Sequence, residues 1–184
     1  MEQSTKVVTG KVRFSYVNVF EPKAMSENDT PKYNLCILIP KSDTETVEKI
    51  KKAIEAAKQA GKAKLADKNG KIPADAALKL PLRDGDIERP DDEAAQGCYF
   101  INANSTRKPS IVDKDLQEIM SQDEFYSGCY GRASINFYAF SVQSKGIACG
   151  LNNLQKLEDG EPLAGGSSAK EDFGGENAWE DPLM

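Results

Sequence analysis

No histidine occurs in the 184 residues, and that absence removes a large part of enzyme chemistry. Ser-His-Asp and Cys-His nucleophile pairs, His-rich metal sites and the commonest general base all need an imidazole. The four cysteines, Cys36, Cys98, Cys129 and Cys149, form no CxxC pair and stand far apart among apolar or small residues. They read as buried reduced thiols rather than a zinc site. No GxxxxGK phosphate loop is present, and no apolar run approaches the roughly 18 residues of a membrane span. The stretch Met1 to Lys6 lacks the apolar centre of a secretory signal, so a cytosolic location is expected. Carboxylates could still bind metal at Asp84-Gly85-Asp86 or Asp91-Asp92-Glu93. Asp-Gly is a turn dipeptide, however, and the second run follows Pro90, so both read as turn and solvated loop. Neither metal nor cofactor is expected, and the chain reads as a non-enzyme.

What the sequence does contain is an uneven distribution of charge. The net charge is −5, but residues 158–184 hold eight acidic side chains against Lys170 alone, leaving residues 1–157 with a slight basic excess. Residues 158–184 are rich in glycine, serine and acid and have neither helical nor strand period, so they are expected to form a disordered acidic tail on a domain spanning 1–157. Within that tail Glu171, Asp172, Phe173, Trp179, Glu180 and Asp181 combine acid with apolar anchors. Such a segment suits a basic, partly apolar pocket on a partner protein.

Residues 6–20 alternate apolar and polar side chains, with Gly10 marking a bend, and read as one long strand. Lys32 to Ile39 reads as a second strand. Ser42 and Glu45 form a capping box ahead of Val47, Ile50, Ile54 and Ala57, which predicts a helix over 43–60 stopped at Gly61. Residues 67–96 form a long excursion. Cys98 to Asn102 reads as a third strand, Asp113 to Met120 as a short helix, Gly128 to Gln143 as a fourth strand and Ile147 to Leu151 as a fifth. This pattern points to a mainly β protein, a five-stranded OB-type antiparallel barrel with an inserted α-helix and long loops.

Binding a single nucleic-acid strand needs aromatic faces for the bases and cations for the phosphates. On the fourth strand Tyr130, Arg132, Ser134, Asn136, Tyr138 and Phe140 share one face, against Ala133, Ile135, Phe137 and Ala139 on the other. On the first strand Lys11 and Arg13 alternate with Val12, Phe14 and Tyr16, of which Phe14 is read as core and Tyr16 as half exposed near the strand end. Arg107 and Lys108 stand in a polar turn beside Asn102 and Asn104. The candidate DNA-binding set is therefore Lys11, Arg13, Tyr16, Asn102, Arg107, Lys108, Tyr130, Arg132 and Tyr138.

Three segments carry a resemblance. They are Pro81 to Asp86, Tyr99 to Ser105 running to Lys108-Pro109, and Phe125 to Arg132 continuing through the last two strands. Together they resemble single-stranded-DNA-binding proteins of tailed bacteriophages. The resemblance implies an OB fold, single-strand coating in phage replication and recombination within the bacterial host cytoplasm, and an acidic tail that recruits replication proteins and competes with DNA. Homodimer formation is compatible with it. The ending Pro182-Leu183-Met184 departs from related tails, which often close on an aromatic residue. The alternative reading is a phage protein-interaction module with a merely solubilising tail.

Overall fold

The computed structural model describes residues 4–24, 27–28 and 30–163. Among the described residues eight strands lie in one sheet: β1 (Lys6–Val8), β2 (Val12–Lys23), β3 (Lys32–Pro40), β4 (Arg83–Asp84), β5 (Cys98–Ser105), β6 (Ser110–Val112), β7 (Tyr130–Phe140) and β8 (Gly146–Glu158). Five of them close a ring through the pairings β2–β3, β3–β5, β5–β8, β8–β7 and β7–β2. In chain order the ring runs first, second, third, fifth, fourth and back to first, an OB-type arrangement. Four of its pairings are antiparallel, whereas β5 and β8 run parallel.

The expected first strand is divided at Gly10, because the chain there packs against the start of a helix. The Gly10 amide donates to Thr46 Oγ1 at 3.0 Å, and a Cβ on Gly10 would stand 2.8 Å from Asp43 Oδ2. That helix, α1 (Thr44–Ala60), is capped by Asp43, whose carboxylate accepts from the Thr46 amide. The cap is thus one residue later than the predicted Ser42. Val47, Ile50, Ile54 and Ala57 enter the core beside Phe14, Ile37, Ile101, Ile135 and Phe137, and each large apolar side chain so buried contributes about 1.5–3 kcal/mol.

The predicted helix over 113–120 does not form. Asp113 Oδ1 accepts from the Asp115 and Gln117 amides at 2.8 and 2.9 Å, Leu116 takes a φ of 65°, and the Ile119 amide returns to Ile111. A side chain that captures its own backbone amides offers a turn in place of a helix. At the other end β8 continues to Glu158, and the chain beyond it remains hydrogen-bonded through Leu163. These hydrogen-bonded residues lie beyond the expected boundary at 157. Glu171, Asp172, Phe173, Trp179, Glu180 and Asp181 lie outside the described residues.

Candidate nucleic-acid interface

Strand alternation places Tyr16 on the same side as the buried Val12 and Phe14. The structure turns it out. Tyr16 has a φ of 49°, the register with β3 shifts between Ser15 and Asn18, and Val17 and Val19 return to the core after it. A left-handed conformation in an aromatic residue costs about 1–3 kcal/mol and persists only where its surroundings impose it. Here the Val17 amide donates to Ser127 Oγ at 3.0 Å and Asn18 Nδ2 to the Tyr16 carbonyl at 3.2 Å, fixing the bulge. The ring is left 54% exposed.

Next to this tyrosine a row of amides crosses the outer face of the ring. Asn18 pairs with Asn34, Asn34 with Asn104, Asn104 with Gly150 and Gly150 with Asn136, each directly opposite the next in the ladder. Asn18 Nδ2 donates to Asn34 Oδ1 at 3.1 Å, so these two amides hold each other in place. Gly150 leaves the row open where a Cβ would stand 2.8 Å from Asn136 Oδ1.

Two cavities lie along the row. One of about 600 Å³ is lined by Tyr16, Lys32, Asn34, Cys36, Asn102 and Asn104 among others. A second of about 260 Å³ shares Lys32 and Asn104 with it and adds Thr106, Asn136, Tyr138 and Asn152. The result is one track from Tyr16 to Tyr138. Tyr138 is 42% exposed, and partial burial, aided by the nearby Cys149 thiol, raises its phenol above the ordinary value. Arg107 and Lys108 stand exposed in the turn after Thr106, with Lys108 Nζ 5.5 Å from the centre of the Phe20 ring.

The remaining sequence candidates form a second group. Lys11 Nζ and the Arg13 guanidinium lie 5.2 and 5.3 Å from the Tyr130 ring centre. Over them runs the strap that follows β8. Lys11 pairs with Glu158 at 2.6 Å, and Arg13 donates to the Gly128 and Glu161 carbonyls at 3.0 and 2.7 Å. Tyr126 Oη donates to Asp159 Oδ1, and the Leu163 amide reaches the Ser127 carbonyl at 2.8 Å. Gly128 has a φ of 115° and lies directly beneath Glu161, where a Cβ would strike the strap backbone. Leu163 then rests on the outer-face cluster of Cys36, Leu38, Ala95 and Phe100. Arg132 is separate from both groups, exposed with Nε donating to the Thr9 carbonyl at 2.9 Å.

The other candidate chemistry is accounted for by packing. Asp84 and Asp86 converge on Lys41 Nζ at 2.8 and 2.7 Å, and these hydrogen bonds hold both carboxyls below their usual range. All four thiols are unpaired. Burial pushes Cys36 up to about 11 and raises the other three as well, which leaves them unreactive as nucleophiles. Among the described residues no group of three His, Cys, Asp or Glu side chains could hold a metal ion, and no helix is long and apolar enough to cross a membrane.

Of the sequence candidates, the track unites Tyr16, Asn102 and Tyr138, with Arg107 and Lys108 near its far end. Sequence reasoning missed Asn18, Asn34, Lys32 and Asn152, whose alignment depends on cross-strand register. Comparison with known proteins gives a consistent result. A family described as Enterobacter phage Enc34, ssDNA-binding protein, matches residues 5–183. A protein designated p50 from Acyrthosiphon pisum secondary endosymbiont phage 1 is 32% identical over 169 residues, 89% of each chain. The single-stranded DNA-binding protein of bacteriophage Enc34, solved in complex with ssDNA, is 24% identical with a TM-score of 0.73, covering 89% of this chain and 95% of that one. A single-stranded DNA-binding protein encoded by bacteriophage T7 shares 12% identity with a TM-score of 0.59, covering 89% and 97%. At these two identities the likeness is one of fold.

Proposed function

The chain belongs to the family of the phage Enc34 single-stranded-DNA-binding protein, and from that premise we propose that it binds single-stranded DNA without sequence preference along the outer-face track, as a coating protein rather than an enzyme. The observation that supports this is the continuity of the track, with a tyrosine at each end and amides between. Stacking on Tyr16 and Tyr138 is tolerant of sequence, because every base has a π-face. The asparagines both donate and accept, so they suit phosphate, sugar and base edges alike. Arg107 and Lys108 supply phosphate contacts as the strand leaves the track.

Lys11, Arg13 and Tyr130 form a second set that DNA reaches when the strap lifts, and Arg132, exposed apart from it, offers a further phosphate contact. In this reading the acidic tail, emerging beyond Leu163 at the edge of the track, competes with DNA for the outer face and recruits replication proteins. The setting is phage DNA replication or recombination in the bacterial host cytoplasm. The test is fluorescence anisotropy of a labelled oligothymidine titrated with the full chain over a salt series. Binding whose log affinity falls linearly with log salt is expected, and absent or salt-indifferent binding would overturn the proposal.

A further inference from the structure

Arg89 lies against the track from the excursion between α1 and β5. Its guanidinium is 4.0 Å from the Phe100 ring centre and 5.5 Å from that of Tyr16. Among the described residues it makes no ion pair, and its one side-chain hydrogen bond runs from Nη1 to Cys36 Sγ at 3.5 Å. A thiol is a weak acceptor, so most of the five guanidinium donors are left unspent on a half-buried, permanently charged group. Two other arginines are committed: Arg13 to two carbonyls and Arg83 to Glu88 at 2.8 Å.

The space that Arg89 borders is a cavity of about 360 Å³, also lined by Tyr16, Glu88, Pro90, Asp91 and Asp92. Three carboxylates line it, and none of them is ion-paired with Arg89. Glu88 holds Arg83, and Asp92 Oδ1 accepts the Ala94 amide at 3.1 Å. Asp91 is exposed, and Asp92 keeps its charge while it caps Ala94, so these two carboxylates oppose an anion there. Tyr16 lines both this cavity and the 600 Å³ cavity of the track, and Cys36 joins Arg89 to the same wall.

We propose that Arg89 is a phosphate-binding residue at the Tyr16 end of the track, held over Phe100 so that its free donors meet the backbone next to the base stacked on Tyr16. This rests on the single-strand reading above and adds a position that charge counting along the chain does not single out. A guanidinium 4.0 Å from the Phe100 ring centre interacts with the ring as a planar group, so a lysine there would keep the charge and lose the orientation.

The experiment is the same oligothymidine titration over a salt series, with the full chain, Arg89→Gln, Arg89→Lys and Asp91→Asn. Each phosphate neutralised on a single strand contributes about 0.7 to the slope of log affinity against log salt. Arg89→Gln is expected to reduce that slope by about 0.7 and weaken binding several-fold. Arg89→Lys is expected to keep the slope while binding more weakly, and Asp91→Asn to bind more tightly than the unaltered chain. An unaltered slope in Arg89→Gln, with the unaltered chain still binding, would make Arg89 a packing residue and overturn this proposal alone. If Arg89→Gln does not fold, an unchanged affinity in Asp91→Asn overturns it instead. No salt-sensitive binding by the unaltered chain would overturn the single-strand reading and this inference with it.

Discussion

Two parts of the outer face carry tyrosines with cations near them, yet they are in opposite states. Around Tyr16 and Tyr138 the surface is open, and its polar groups are mostly amides, of which Asn18 and Asn34 hydrogen-bond to each other. Around Tyr130 the surface is closed, with Lys11 and Arg13 spending their donors on Glu158, Gly128 and Glu161. Residue type alone would rank the second part higher, because it has more positive charge. The difference is made by what each cation already touches. A guanidinium bonded to two carbonyls has less to offer a phosphate than an amide row with unfilled valences.

The comparison breaks most sharply under aromatic truncation. Tyr16→Ala and Tyr138→Ala are each expected to weaken single-strand binding by about 1–3 kcal/mol, roughly 5- to 150-fold. Tyr130→Ala in the full chain should have far less effect. Anisotropy titrations of the three variants check this, and a Tyr130 effect as large as the other two would reverse the assignment of open and closed faces.

Truncation sharpens it next. A chain ending at Leu163 keeps the strap, whereas one ending at Leu157 loses the contacts of Glu158, Asp159, Glu161 and Leu163. With each hydrogen bond worth about 1 kcal/mol net, the shorter form is expected to be less stable by about 2–4 kcal/mol. Its melting temperature should fall by roughly 5–10 °C. If binding tightens already at the Leu163 end, the tail beyond the strap is the competitor. Tightening only at the Leu157 end would assign that role to the strap.

Much of the fold was legible because hydrophobic period survives folding. The division of β7 into a small apolar face and a polar aromatic one follows from alternation alone, and the core contains Ala133, Ile135, Phe137 and Ala139 as that parity requires. Tyr16 was half legible. Parity groups it with Phe14, and only the bulge, which no residue in the segment announces, turns it outward. The amide row was illegible for a different reason. Asn18, Asn34, Asn104 and Asn136 are far apart in sequence and meet only through the register of four strands. The strap went unread because its composition is that of a solvated tail, while its attachment depends on Tyr126, Ser127 and Gly128. Asp113 misled because an acidic residue ahead of an apolar period marks either a helix start or a turn.

The smallest expected effect tests how the strap is fastened. Tyr126→Phe removes the phenol that bonds Asp159 and Gly160 and should cost about 0.5–1.5 kcal/mol by thermal melting at neutral pH. The same fastening has a sign in pH. Lys156, 2.6 Å from Asp159, and the Tyr126 hydroxyl hold the Asp159 carboxyl below its ordinary 3.8. A group depressed on folding contributes stability above its unfolded value and loses it as pH falls through the folded one. The Asp159 contribution should therefore be intact at neutral pH and fade only below about pH 3.8. Burial alone would lower the Lys156 ammonium, but Asp159 outweighs it and the net shift is upward, so on the alkaline side the pair is lost only as Lys156 deprotonates. Asp159→Asn should consequently melt below the unaltered chain at neutral pH and converge with it in acid. A gap that persists below pH 3 would mean that the asparagine perturbs the strap by its shape, and that the Lys156–Asp159–Tyr126 contact does not hold it by charge.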